Sequence, residues 1–190
     1  MDDLMSTNNT TAETLQEEKE GKCLSDDPKF FKDLDLNDLS IVITQILLEI
    51  IMENQNQSIS CNDDCFFSKK IPAMSIQDYL RRIIKYSKLE PATLITTVIY
   101  IDRICEREKY VLNFNNIHRT LLAAVLVSVK FHEDDFYKNT QYAKIGGISL
   151  EEINSLEQEF CKLLNFAFFV SEPEFQKYKC YFTKLFEAET

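Results

Sequence analysis

Residues 117–131 read IHRTLLAAVLVSVKF, the least polar stretch of the chain. The apolar side chains of this stretch do not keep to one helical face, which is the pattern of a helix buried on all sides. Ala123, Ala124 and Ser128 are small enough to let neighbouring helices approach closely. We therefore expect a helix here at the centre of the fold, with the rest of the domain packed around it.

Amphipathic helical patterns lie on both sides of this stretch. Ser75 is placed to cap one helix through its side-chain oxygen, and Pro91 is placed at the first position of the next. Gly146 and Gly147 supply a helix stop, and Ser149 opens a further helix with a capping box. The chain has only three glycines and four prolines, too few for the many turns of a β-sandwich. The sequence therefore predicts an all-α fold.

The negative charge of the chain is concentrated at its start. Residues 1–40 carry 11 acidic and four basic side chains, whereas the other 150 carry 20 and 17. We predict a disordered acidic tail over residues 1–35 and a folded domain over residues 36–190. The nearly balanced charge of the domain argues against a nucleic-acid partner. No apolar run reaches the roughly 18 residues of a membrane span, and no signal peptide opens the chain, so we expect no membrane partner and a nuclear or cytoplasmic location.

Motifs of catalysis and cofactor binding are missing from the sequence. It contains no H-E-x-x-H, G-x-G-x-x-G, P-loop or nucleophile-elbow pattern. Cys61 and Cys65 form half of a zinc motif at best, because no second cysteine or histidine pair stands nearby. We therefore expect no metal, no cofactor and no enzymatic activity, and interpret the chain as a helical interaction module.

Three charged side chains stand where apolar packing does not explain them. Asp102 lies on the apolar face of its helix, and a lone buried carboxylate costs several kcal/mol of folding free energy unless it is paired. We predict a structural ion pair between Asp102 and Arg82 on the preceding helix, with Arg81 as the other candidate. Lys130 ends the most apolar helix and Glu157 stands beside an apolar stripe, so position alone assigns both to solvated surface.

Four stretches of sequence occur together in a specific order. They are SIQDYLRRIIKYSKL at 75–89, YIDR at 100–103, KFHEDDFYKNTQYAKIGGI at 130–148 and Leu-Glu at 156–157. Together they resemble the cyclin box, and more narrowly the P-type, or U-type, cyclins. The resemblance covers about residues 71–169 and implies a single five-helix cyclin box with flanking N- and C-terminal helices. The expected box helices begin near Ser75, Pro91, Asn115, Lys138 and Ser149, with flanking helices at 41–52 and 173–187.

The resemblance implies a regulatory subunit that binds a cyclin-dependent protein kinase, of the phosphate-pathway or cell-cycle type, and activates it by positioning its mobile helix. It places Lys130 and Glu157 at the kinase interface and matches Asp134 to an acidic position that pairs with a kinase arginine. Phe131 and Phe136 fit either apolar interface contacts or core packing. The alternative is a cyclin-fold scaffold that binds a partner other than a kinase.

Overall fold

The computed structural model describes residues 34–56 and 65–189. These ranges contain α-helices, one short 3-10 turn at Asn54–Asn56 and no strand, so the predicted all-α class is confirmed. The helices are α1 Leu36–Glu53, α2 Ile76–Tyr86, α3 Pro91–Arg107, α4 Ile117–His132, α5 Asn139–Gly146, α6 Leu150–Leu163 and α7 Glu172–Glu189. Helices α2 to α6 are the five expected box helices, and α1 and α7 flank them.

Helix α4 is the buried centre of the fold, as its sequence predicts. It packs against α3 and α6 along its length, and α2 and α5 cover other parts of its surface. All of its residues are buried except Arg119 and the last three, Lys130, Phe131 and His132. The carboxyl end of the central helix is therefore where the core of the domain reaches the surface.

The box helices begin at the residues that their capping chemistry favours. The Ser75 hydroxyl accepts the backbone N–H of Asp78 at 3.0 Å, and the Ser149 hydroxyl accepts that of Glu152 at the same distance. Pro91 is the first residue of α3. Gly147 follows α5 in the left-handed conformation, with φ of 69°, which favours glycine.

The flanking helices extend beyond their predicted bounds. Helix α1 begins five residues early because Asp35 caps it, accepting the backbone N–H groups of Asn37 and Asp38 at 2.8 Å each. Leu34 is buried, so the folded part of the chain begins inside the predicted 1–35 tail. The remainder of that tail, residues 1–33, lies outside the described residues. Helix α7 packs against α1 and α3, which joins the two flanking helices to one side of the box.

The predicted ion pair between Asp102 and Arg82 is wrong. The Arg82 guanidinium donates to the backbone carbonyls of Ile145 at 2.8 Å and Lys144 at 3.2 Å, at the carboxyl end of α5. That end of a helix carries partial negative charge, which attracts a cation. The Asp102 carboxylate accepts the hydroxyl of Tyr178 on α7. Each group thus meets a partner from a helix distant in sequence, which helical spacing alone does not reveal.

Candidate functional site

Lys130 and Glu157 lie together at the surface where α4 ends. The Lys130 Nζ is 2.6 Å from Glu157 Oε1, and both side chains are partly exposed. They meet because α4 and α6 pack side by side, which brings residues 27 positions apart into contact. The two charged residues that the sequence singled out are therefore one unit rather than two independent surface charges.

Asn139, the first residue of α5, holds the second oxygen of this carboxylate. Its Nδ2 donates to Glu157 Oε2 at 2.7 Å and to Asn154 Oδ1 at 2.7 Å. The Lys130 ammonium group carries three N–H donors. Within the described part of the chain, Glu157 is the acceptor that it meets. The pair is thus fixed from one side and retains donor capacity for a partner. Asn139 was not selected from the sequence, because its role depends on how α5 packs against α6.

Exposed aromatic rings adjoin the ion pair. Phe131 is 51% exposed, and its ring centroid lies 5.2 Å from that of Phe168. Phe168 belongs to a segment that follows α6, residues 166–169, here called the aromatic strap. Two other rings of the strap, Phe166 and Phe169, are 64% and 77% exposed. Phe131 is therefore a surface residue rather than a core residue, and it forms an apolar area with the strap beside Lys130.

The aromatic strap turns away from α6 through left-handed backbone. Asn165 and Phe166 have φ of 50° and 55°, a conformation that costs on the order of 1 kcal/mol or more for a bulky residue. Neither Phe166 nor Phe169 was selected from the sequence. The available signal was three phenylalanines within four residues, directly after a helix stop.

The turn after α4 is anchored on both sides of Asp134. The Glu133 carboxylate accepts the Thr93 hydroxyl at 2.6 Å and the Glu90 backbone N–H at 3.1 Å, at the start of α3. Asp135 forms an ion pair with Lys88. Asp134 between them is exposed. The turn thus presents the Asp134 carboxylate to solvent, four residues after Lys130.

Phe136 lies in the same turn and is exposed rather than part of the core. Of the two readings that the sequence left open for this residue, core packing is therefore excluded. An exposed ring beyond Asp134 extends the apolar character of the surface at this end of the domain.

His132, at the end of α4, joins the ion-pair region to the strap. Its Nε2 lies 3.0 Å from the Tyr100 hydroxyl, which donates to the Phe168 carbonyl at 2.6 Å. Partial burial lowers the pKa of His132, and the nearby Glu133 carboxylate opposes this shift. Burial likewise raises the pKa of the Tyr100 hydroxyl, so this hydroxyl stays protonated and remains a donor.

Metal and membrane features can be stated for residues 34–56 and 65–189. No cluster of three or more metal-ligating side chains occurs in those ranges. Cys61 lies outside the described residues, and Cys65 is half-buried against the core. Among the helices described, none is both long and apolar enough to cross a membrane.

A comparison of the sequence with known protein families identifies one matching family. A sequence model of the cyclin family matches residues 3–168, so the chain belongs to the cyclin family. The relatives within that family include U-type cyclins and PHO85 cyclins, which confirms the P-type, or U-type, assignment.

Three relatives illustrate the extent of the similarity. Cyclin-U2-1 of Arabidopsis thaliana is 38% identical over 117 residues, 61% of this chain and 53% of that protein. PHO85 cyclin-7 of Saccharomyces cerevisiae is 34% identical over 171 residues, 77% of this chain and 60% of that protein. PHO85 cyclin-like protein psl1 of Schizosaccharomyces pombe is 41% identical over 115 residues, 60% of this chain and 47% of that protein. The chain thus spans about half the length of these relatives.

Proposed function

We propose that the chain is a regulatory subunit that binds a cyclin-dependent protein kinase and activates it. The observation that carries this proposal is the Lys130–Glu157 ion pair, held by Asn139 and placed beside exposed aromatic rings. Protein interfaces combine such apolar aromatic anchors with a small number of oriented polar groups. Membership of the cyclin family supports the choice of a kinase as the partner.

The proposed mechanism uses binding energy and no chemistry by this chain. Phe131 and the aromatic strap bury apolar area against the mobile helix of the kinase. Lys130 and Glu157 meet backbone or polar groups beside that helix, and Asp134 meets a kinase arginine. An active kinase needs its helix glutamate paired with the ATP-binding lysine. Because the bound surface fits that helix position better than the inactive one, binding shifts the kinase toward its active conformation.

The names of two relatives suggest a particular kind of kinase. They are called PHO85 cyclins, and we propose a PHO85-like kinase as the partner of this chain. We place the complex in the nucleus or the cytoplasm.

The test is a binding measurement with purified PHO85 from Saccharomyces cerevisiae. The unmutated chain, Lys130→Ala, Glu157→Ala and Lys162→Ala are titrated against the kinase. Lys162 is the matched control, because it lies on the same helix as Glu157 and its side chain forms an exposed ion pair with Glu159. Removing one partner of an interfacial charge pair costs about 2–5 kcal/mol of binding free energy, whereas an exposed pair contributes about 1 kcal/mol or less. Equal affinity of all four proteins, or no binding by the unmutated chain, would contradict the proposal.

A further inference from the structure

Three successive carbonyls of the aromatic strap are held by side chains of α3. Arg103 Nη1 donates to the Ala167 carbonyl at 2.6 Å, and Arg103 Nη2 donates to the Phe169 carbonyl at 3.0 Å. The Tyr100 hydroxyl donates a hydrogen bond to the Phe168 carbonyl, which lies between them in sequence. A segment with left-handed backbone at its start is thereby held at its last three residues, while its Phe166 and Phe169 side chains stay exposed.

Arg103 itself depends on α7. It is 8% exposed, and a buried guanidinium needs a counter-charge. Glu174, in the first turn of α7, supplies it through contacts of 2.7 and 2.9 Å from Nη2 and of 3.2 Å from Nε. The Arg103 fork is thus shared between one carboxylate and two backbone carbonyls, an arrangement that the planar five-donor guanidinium can make and an ammonium cannot.

We infer that Arg103 and Glu174 are positioning residues for partner binding: together they fix the aromatic strap and so couple the docking of α7 to the presentation of Phe166 and Phe169. This inference rests on the proposed function, because the partner in question is the kinase. Preorganised anchors bind more tightly, since the entropy of ordering them is not lost on association. Helix α7 then influences partner binding through the order of the aromatic strap rather than through a contact of its own with the partner.

Two variants of Glu174 and one matched control test the inference. Glu174→Gln keeps the shape and one carbonyl acceptor, and Glu174→Ala removes both oxygens. Glu172→Gln is the control, because Glu172 lies in the same first turn and accepts a hydrogen bond from Gln176 instead of Arg103. The probe is purified PHO85, measured below the unfolding temperature of each variant, with helical circular dichroism to verify folding.

Order in the strap is read separately from binding. The chain has no tryptophan, so Phe169→Trp provides a single fluorescent reporter within the strap. Its steady-state anisotropy is measured without kinase, with and without the Glu174 substitutions. A merely structural ion pair at the base of α7 would lower the unfolding temperature and leave this local anisotropy and the kinase affinity unchanged.

The expected result is a loss of affinity of about tenfold in Glu174→Ala, a smaller loss in Glu174→Gln, and none in Glu172→Gln. Anisotropy at position 169 is expected to fall in the same order. Kinase affinity that stays unchanged in folded Glu174→Ala, while the unmutated chain binds, would overturn the positioning role and leave the proposed function standing. Failure of the unmutated chain to bind would instead overturn the proposed function and the inference with it.

Discussion

Gly146 packs closely against the central helix, with no room for a Cβ atom beside Leu122. A Cβ atom added there would lie 2.3 Å from Cδ2 of Leu122, a fully buried side chain of α4. The next nearest atom, the Tyr79 hydroxyl oxygen, would be at 3.3 Å. Overpacking of this kind costs about 1–3 kcal/mol, and the better helix propensity of alanine returns about 1 kcal/mol or less. We therefore expect Gly146→Ala to destabilise the domain by about 1–2 kcal/mol.

A thermodynamic cycle with Leu122 isolates this clash from other effects. Leu122→Ala alone leaves a cavity and costs about 2–5 kcal/mol. The double variant is expected to cost at least about 1 kcal/mol less than the sum of the single variants, because the added methyl group then occupies vacated space. The measurement is the urea dependence of the helical circular dichroism signal, which needs no tryptophan.

Gly147→Ala is the matched control for this cycle. Nothing lies within 4 Å of a Cβ at this position, but its φ of 69° makes alanine cost about 1–2 kcal/mol through backbone strain. That cost is expected to add simply to the cost of Leu122→Ala. The packing argument would be refuted if Gly146→Ala were as stable as the unmutated chain. It would also be refuted if the costs of Gly146→Ala and Leu122→Ala simply added in the double variant.

Two further predictions concern stability. Burial lowers the pKa of His118 below its usual 6.5, and the buried Nδ1 of this residue has no hydrogen-bond partner in the described structure that could accept an N–H from the protonated ring. Desolvation also lowers the pKa of His132. Below pH 6.5 the unfolded chain therefore binds more protons than the folded chain, so the free energy of unfolding falls as the pH drops toward the folded-state pKa values. We expect the urea midpoint at pH 5.5 to lie below that at pH 7.5, and equal midpoints would contradict this expectation. Arg82→Ala removes two hydrogen bonds to the end of α5, and we expect it to lower the free energy of unfolding in urea by about 1–2 kcal/mol. The control Arg81→Ala removes an exposed side chain and is expected to lower it by about 0.5 kcal/mol or less. Equal costs would contradict the assigned role of Arg82.

The features that the sequence predicted correctly are local ones. The all-round apolar pattern of 117–131 identified the central helix, because a helix without a polar face can only be buried. Ser75, Pro91 and Gly147 marked helix ends through chemistry confined to one turn. The partner-binding role of Lys130 and Glu157 stays a prediction of the family resemblance, whereas their mutual contact is a finding of the structure that the sequence did not predict.

The features that it did not predict depend on partners far along the chain. Asp102 and Arg103 are neighbours at the edge of one helical face, and sequence spacing put the buried charge on Asp102. The structure instead buries Arg103, because the strap carbonyls and Glu174 surround it more than 60 residues later. Asp102 meets Tyr178 at a similar separation. No periodicity in the sequence encodes which of two adjacent charges will meet such groups.

The proposal that this surface activates a kinase is tested by the stimulation of kinase activity. PHO85 is assayed for phosphoryl transfer to a peptide while the chain is titrated, using the unmutated form, Lys130→Ala, Glu157→Ala, the double variant and Lys162→Ala. We expect stimulation by the unmutated chain and by Lys162→Ala. We also expect the double variant to stimulate hardly less than the worse single variant, because Lys130 and Glu157 act as one unit. Full stimulation by the double variant, or none by the unmutated chain, would contradict the proposal.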